Sequence, residues 1–114
     1  MKKTENELTY VPFGSLITEV QVTPVRPVHT PGGTLVAFGS IRYRGEIDFA
    51  DLALHAGPKD GQFEIIYPVK TLFGGVRVGV IRPVSKSISD AILNALVDRY
   101  MALVRKYPNY KEGV

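Results

Sequence analysis

The sequence predicts an α+β protein in which an antiparallel meander of about five strands is followed by one C-terminal amphipathic helix. Short runs rich in Val, Ile, Phe and Tyr alternate with Pro- and Gly-containing segments as far as Pro83, a pattern typical of short strands. After Pro83 the hydrophobic residues recur with the period of a helix. The chain has 114 residues, 45% of them hydrophobic, which suits one globular domain with one core.

The strand-forming segments differ in how they distribute hydrophobic residues. Five runs have strand composition, at residues 16–23, 34–43, 46–54, 63–69 and 76–81. In the first, Val20 and Val22 alternate with polar residues, so one face of this strand packs and the other meets water. Residues 35–38 are apolar at every position, which predicts an interior strand covered on both faces.

Glycines mark the turns between the strands. Arg44-Gly45 predicts a tight hairpin between the second and third strands, and Lys59-Asp60-Gly61 predicts a turn before the fourth. The pairs Gly32-Gly33 and Gly74-Gly75 lack the lysine and the following helix of a phosphate-binding loop. We therefore interpret them as hairpin turns that require positive φ.

The helical segment has a hydrophobic stripe and recognisable ends. The stripe contains Ile88, Ile92, Ala95, Leu96 and Leu103, with Asp90, Asn94 and Asp98 largely opposite. Residues 87–90, Ser-Ile-Ser-Asp, are similar to a capping box, so we expect the helix to begin near Ser87. Arg105 and Lys106 suit the negative pole of the helix dipole, and Pro108 prevents much continuation.

One helix covers only part of a five-stranded sheet, so further apolar surface needs a partner. Leu93, Val97 and Met101 form a second apolar flank of the helix, and a sheet edge is also free. A homodimer is the simplest way to bury both. The alternative is that the terminal segments cover them. We divide the chain into an N-terminal extension at 1–15, a single domain at 16–107 and a C-terminal tail at 108–114.

Composition and targeting signals indicate a cytoplasmic protein without a membrane partner. The N-terminus is basic and then acidic, and no apolar run of signal-peptide length follows it. No stretch is apolar for long enough to cross a bilayer. The chain has no cysteine, which excludes disulfides, thiolate metal sites and a cysteine nucleophile.

Charge is strongly segregated along the chain, although the net charge is only +3. Residues 20–45 contain three arginines and no acid, 46–64 contain five acids and one lysine, and 65–89 contain four basic residues and no acid. In a meander these segments become neighbouring edges or loops, so a basic rim can form beside an acidic one.

A phosphate backbone is one natural partner for such a rim. Tyr43, Tyr67 and Phe73 lie close to it in sequence and could stack on bases. The alternative reading is a solvated surface with cross-strand ion pairs.

Signatures of an enzyme are absent from the sequence, and we expect neither catalysis nor a cofactor. His29 and His55 have no partner at metal-ligand spacing. Asp48 and Asp51, three residues apart in a strand, are expected on opposite faces and so cannot act as a carboxylate pair. No serine lies in a nucleophile elbow.

An ordered series of short matches gives the chain a family resemblance. The matches are Ile17-Thr18-Glu19-Val20-Gln21-Val22, Gly33 to Ile41, the strand ending in Asp51-Leu52, Gly57 to Gly61 leading to Phe63, Pro68-Val69-Lys70, Arg82-Pro83-Val84 and Ile88 to Asn94. From about residue 17 to 100 the chain resembles the SpoVG family of septation regulators. The resemblance implies a small dimeric α+β protein of the bacterial cytoplasm that binds DNA or RNA and regulates septation, sporulation or virulence genes.

In that family a basic loop after the proline step is associated with nucleic-acid contact, and the resemblance assigns this role to Lys70 and Arg77. The chain departs from the family pattern at Thr71 and Ala53, where basic residues are common, in the apolar loop 71–75, and in a shorter segment after Pro83. The extension before Leu16 is additional. With these departures the chain resembles a divergent member, with fewer basic residues than the family pattern.

Two hypotheses for function follow, from different classes. In the first, a homodimer binds nucleic acid through phosphate contacts and thereby regulates expression. The residues assigned to it are Lys70, Arg77, Arg82 and Lys86, with Arg42 and Arg44 as outer helpers. In the second, the chain is a protein-interaction module whose exposed Leu72-Phe73 loop or open sheet edge docks a partner.

Overall fold

The computed structural model describes residues 13–107, so most of the predicted N-terminal extension and the predicted tail at 108–114 lie outside the described residues. A short 3-10 helix, Phe13–Leu16, precedes the first strand. The strands are β1 (Ile17–Thr30), β2 (Gly33–Tyr43), β3 (Ile47–Ala56), β4 (Phe63–Ile66), β5 (Val69–Thr71) and β6 (Arg77–Gly79), and the helix is α1 (Lys86–Lys106).

The first four strands form an antiparallel sheet in the order β1-β2-β3-β4, which confirms the predicted meander and the α+β class. The fourth predicted run is divided, because β4 ends at Ile66 and β5 begins only after Tyr67-Pro68. Proline has no amide hydrogen with which to continue a ladder. Strand β5 pairs instead with β6, and the two form a separate two-stranded ribbon.

Strand β1 is longer than predicted, because it continues through Pro24 and Pro27 to Thr30. It lies at the edge of the sheet, where one side of the strand has no ladder and proline is tolerated. Its pairing with β2 is irregular between Pro24 and Val28. The prolines therefore shape an edge strand and do not end it.

The predicted interior position of residues 35–38 is confirmed, since β2 lies between β1 and β3. The prediction that both of its faces are covered is wrong. Ala37 and Ile41 are fully buried beneath α1, whereas Phe38 on the other face remains 41% exposed. One helix covers one face of the sheet, and we call the opposite side the open face.

A bulge in β3 changes which side chains reach the open face. Ala50 and Asp51 both lie opposite Ser40, and Asp51 has a φ of +60°. Phe49 and Leu52 consequently both face the core, and the alternation is reversed between them. The expectation that Asp48 and Asp51 lie on opposite faces is therefore wrong, since both lie on the open face.

The predicted hairpin at Arg44-Gly45 is present as a type I′ turn. Arg44 has a φ of +57° and Gly45 a φ of +70°, and the Glu46 amide donates to the Tyr43 carbonyl at 2.9 Å. The second turn is also present, with the Gln62 amide donating to the Lys59 carbonyl at 3.1 Å.

Helix α1 begins slightly earlier than predicted and uses a different cap. Ser85 is the N-cap residue, and its hydroxyl accepts from the Ile88 amide at 3.3 Å. The predicted capping box at Ser87 is therefore wrong. Asp90 forms an ion pair with Lys86 at 2.8 Å and does not close a box.

The core lies between α1 and one face of the sheet. Its buried side chains are Val36, Ala37, Ile41, Leu52, Leu54, Ile65, Ile92, Leu96 and Tyr100. Tyr100 is absent from the predicted stripe, and Phe63 packs edge-on against its ring at 6.0 Å. Leu93, Val97 and Met101, predicted as a free flank, pack against this core. Within residues 13–107 no helix is long and apolar enough to cross a membrane.

Candidate nucleic-acid interface

The β5–β6 ribbon carries the two residues that the family resemblance assigns to nucleic acid. Every residue from 69 to 80 is exposed. Lys70 lies opposite Val78, and Thr71 lies opposite Arg77. Directly opposed residues of an antiparallel pair share a face, and neighbours along a strand alternate. Lys70 and Arg77 therefore project from opposite faces of the ribbon.

Arg82 comes back over the ribbon on the Arg77 side. The Val80 amide donates to the Pro68 carbonyl at 3.1 Å, which closes the base of the ribbon. A Cβ atom placed on Gly79 would lie 3.6 Å from Cδ of Arg82. Because Arg77 and Gly79 share a face, the Arg82 side chain lies over the face that also carries Arg77.

Lys86 lies at the first position of α1, after the ribbon and the segment that follows it. Its ammonium group is 2.8 Å from the Asp90 carboxylate, one helical turn along, and its side chain is 87% exposed. An exposed pair at this spacing is weak, so Lys86 can exchange this partner for a phosphate at little cost.

Arg42 and Arg44 lie elsewhere, on the β2–β3 hairpin of the main sheet. The Arg42 guanidinium donates to Asp48 through Nε at 2.7 Å and Nη2 at 3.0 Å, and to Glu19 through Nη1 at 3.0 Å. The hydrogen bond to Asp48 and the two carboxylate charges raise the pKa of Arg42. Its charge is thus already compensated by two acids.

Arg44 has a looser contact, with Nε 3.9 Å from the Glu46 carboxylate. The structure thus separates the six predicted residues into a group on the ribbon and the segment leading into α1, and a group on the β2–β3 hairpin.

The three candidate stacking rings differ in their availability. Tyr43 stacks on Phe13 at 5.2 Å with an interplanar angle of 17°, so its ring is already packed. Tyr67 is half-buried and packs against the core. Phe73 is fully exposed. Of the three, Phe73 alone is free to take a base.

Burial raises the pKa of Tyr67, and the nearby Ser89 hydroxyl opposes this rise in part. The Tyr67 hydroxyl is buried and has no hydrogen-bond partner among residues 13–107, so its contact with Ser89 is not a hydrogen bond. Tyr67 therefore packs beside the start of α1, and its ring is not available to stack on a base.

The tip of the ribbon is apolar. The Leu72 amide donates to the Val76 carbonyl at 2.6 Å, and the Gly75 amide donates to the Leu72 carbonyl at 3.0 Å. Gly74 and Gly75 have φ values of +91° and +87°, as predicted for a hairpin turn. Leu72 is 41% exposed, so both apolar residues predicted for partner docking lie at the surface.

Side chains able to hold a metal ion do not cluster in the part of the chain that the structure describes. His29 has its Nδ1 atom 2.9 Å from the Thr34 hydroxyl, and His55 is buried in β3. A pocket of about 340 Å³ lies beneath residues 80–84, and its lining, which includes Phe13, Phe49 and Ile92, is mainly apolar. The described residues that line it include no acid–base pair.

No protein-family model and no curated protein matches this chain. The resemblance to the SpoVG septation regulators stays a prediction. The fold and the site define an α+β protein that presents a basic, exposed β-ribbon in addition to its main sheet.

Proposed function

We propose that this chain is a nucleic-acid-binding regulatory protein that binds the phosphate backbone through the β5–β6 ribbon and the segment leading into α1. Lys70, Arg77, Arg82 and Lys86 make the phosphate contacts. The protein acts in the cytoplasm as a homodimer, in the manner that the resemblance to septation regulators implies. Binding is ionic and reversible, and the occupancy of the target regulates expression.

The observation that carries the proposal is the exposure of a basic ribbon that contains no acid. Residues 65–89 contain four basic side chains and no Asp or Glu, and residues 69–80 are all exposed. A two-stranded ribbon is narrow enough to enter the major groove of duplex DNA. A ribbon with cations on both faces, as Lys70 and Arg77 provide, can meet phosphates on either side of it.

The local charge balance supports the same assignment. Of the six predicted residues, Arg42 has two carboxylate partners within 3.0 Å, and moving it to a phosphate would leave both acids unpaired. Arg77 and Arg82 have no ion-pair partner among residues 13–107. We therefore place Arg42 outside the phosphate-binding set, and Arg44 at its margin.

The helix flank at Leu93, Val97 and Met101 packs within the chain, so the homodimer must form through another apolar surface. Exposed apolar residues also lie on the open face, at Phe38 and Ile66, and at or beside the ribbon, at Val78 and Val84. Sedimentation equilibrium tests this part of the proposal, and a single species of monomer mass at all concentrations would contradict it.

The experiment is a salt-resolved binding titration. Fluorescence anisotropy of labelled duplex DNA, single-stranded DNA and RNA is followed between about 50 and about 200 mM salt. If the four basic side chains each neutralise one phosphate, the slope of log affinity against log salt is about −3 to −4 per chain. Arg77→Gln should make that slope shallower by about 1.

Arg42→Gln is the matched control, because it removes the same charge from a position where two acids already compensate it. We expect it to leave affinity and slope essentially unchanged in protein that circular dichroism shows to be folded. Absence of binding to all three nucleic acids at the lowest salt would overturn the proposal. Equal losses from Arg42→Gln and Arg77→Gln would overturn the assignment of the site.

The exposed apolar tip supports a second candidate, a protein-interaction module that docks a partner through Leu72 and Phe73. In that case the apolar tip and not the cations determines binding. Failure of the folded chain to bind nucleic acid at low salt would favour this second function, because Leu72 and Phe73 are both exposed.

A further inference from the structure

We infer that Phe73 is a base-stacking residue: the β5–β6 ribbon presents its ring to the face of a nucleobase while the flanking cations hold the phosphates. This inference rests on the proposed function and specifies that the ribbon tip recognises a nucleobase. It does not depend on whether the base comes from a single strand or from an opened step of a duplex.

The first argument is the exposure of the ring. Phe73 is fully solvent-exposed at the tip of a ribbon in which every residue from 69 to 80 is exposed. The positive φ values of Gly74 and Gly75 close the turn directly after it. The ring therefore has one flat apolar face, or both, open to a ligand.

The second argument is the charge around the ring. Phe73 lies three residues after Lys70 and four before Arg77, at the tip of the hairpin whose two strands carry these cations. No acid occurs between residues 65 and 89. An aromatic ring among cations without acids matches a nucleic acid, which offers a stackable π-face beside negative phosphates.

The third argument is that the other two rings near the basic segment are occupied. Tyr43 stacks on Phe13, and Tyr67 packs into the core. If the protein stacks on a base near the ribbon, Phe73 is the ring that can do so. Apolar wedges of this kind also open base steps in duplex DNA when they are carried on DNA-binding proteins.

The test uses the absence of tryptophan from the chain. Phe73→Trp introduces a single tryptophan at the ribbon tip, and we expect its emission to be quenched when nucleic acid binds at low salt. Tyr107→Trp is the matched control, because Tyr107 is also a partly exposed aromatic residue but lies at the opposite end of α1 from Lys86, about 30 Å away. We expect no quenching there.

Affinity provides an independent readout. Phe73→Leu keeps an apolar side chain but removes the ring, and we expect affinity to fall by about 5- to 150-fold, the range for loss of one base–aromatic stack. The salt slope should not change, because no phosphate contact is removed. Arg77→Gln should show the opposite pattern, with an altered slope.

Three probes identify the source of the base: a single-stranded oligonucleotide, a matched duplex, and the same duplex with one mismatch. Quenching by the single strand alone indicates stacking on an unpaired base, and quenching by the mismatched duplex above the matched one indicates a wedge at a weak step. Normal binding with unquenched Phe73→Trp, or with full affinity in Phe73→Leu, would overturn the inference and leave the proposed function standing. Absence of binding by the unmodified protein would overturn both.

Discussion

Asp48 holds the Arg42 guanidinium by two hydrogen bonds, from Nε to Oδ1 at 2.7 Å and from Nη2 to Oδ2 at 3.0 Å. The two residues face each other across β2 and β3, and Glu19 on β1 accepts a third hydrogen bond from the guanidinium. The charge of this exposed arginine is thereby compensated by acids on the two neighbouring strands.

This pair makes stability depend on pH. The hydrogen bond from Arg42 lowers the pKa of Asp48 in the folded protein. A carboxyl group with a lowered folded-state pKa stabilises the protein above its unfolded-state pKa, and this contribution is lost as pH falls through the folded-state pKa. We expect Asp48→Asn to unfold at lower urea concentration than the parent at neutral pH, with the difference vanishing in acid.

Glu46→Gln is the control for this prediction, because Glu46 lies 3.9 Å from Arg44 and is 70% exposed. Its urea midpoint should match that of the parent at every pH. A difference between Asp48→Asn and the parent that stays constant down to low pH would show that the contact does not act through charge.

The start of α1 depends on Ser85 and not on Ser87. The Ser85 hydroxyl accepts the otherwise unpaired Ile88 amide, so Ser85→Ala should lower the free energy of unfolding by about 1 kcal/mol. Ser87→Ala should change it by less than about 0.5 kcal/mol. Urea denaturation of the two variants measures the contrast, and a larger loss from Ser87→Ala would contradict the observed cap.

Gly39 allows α1 to approach the sheet closely. A Cβ atom at this position would lie 2.7 Å from Cδ2 of Leu96 and 3.2 Å from the Gln21 carbonyl oxygen. Leu96 is fully buried and has little room to move, so Gly39→Ala should cost about 1–3 kcal/mol in thermal or urea unfolding. Gly32→Ala is the control, since nothing lies within 4 Å of its Cβ position. Equal effects of the two changes would contradict this packing.

Arg44 occupies a turn position that suits asparagine better. Its φ of +57° belongs to the left-handed region, where Asn is enriched, and Asn-Gly is the favoured pair in type I′ turns. Arg44→Asn should raise the free energy of unfolding by about 0.5–1 kcal/mol. Arg44→Gln removes the same charge without relieving the backbone and should give no gain. A gain from Arg44→Gln would assign the effect to charge.

Much of the fold could be predicted because its signals are local. The Arg44-Gly45 turn depends on two adjacent φ angles, and the helix depends on a hydrophobic period within one segment. The positions of prolines were less informative: Pro68 divides a predicted strand, whereas Pro24 and Pro27 lie within one. Pro24 and Pro27 are tolerated because β1 is an edge strand, and whether a strand lies at an edge depends on pairing with segments that are distant in sequence.

The candidate site shows the same division. The sequence identifies a segment with four cations and no acid, but it does not give the register that sends Lys70 and Arg77 to opposite faces. It also treats Arg42 like the other cations, although Glu19 and Asp48 compensate it. Those partners are 23 and 6 residues away and meet only when β1, β2 and β3 are paired.

By itself, then, the sequence determined the antiparallel meander, the hairpin at Arg44-Gly45, the C-terminal helix and the segregation of charge, since each depends on residues that are neighbours along the chain. The tertiary structure alone decided that the β5–β6 ribbon stands apart from the main sheet, that Arg42 is paired, and that Phe73 is exposed while Tyr43 is packed. These properties depend on strand register and on burial, which arise from contacts between residues far apart in sequence.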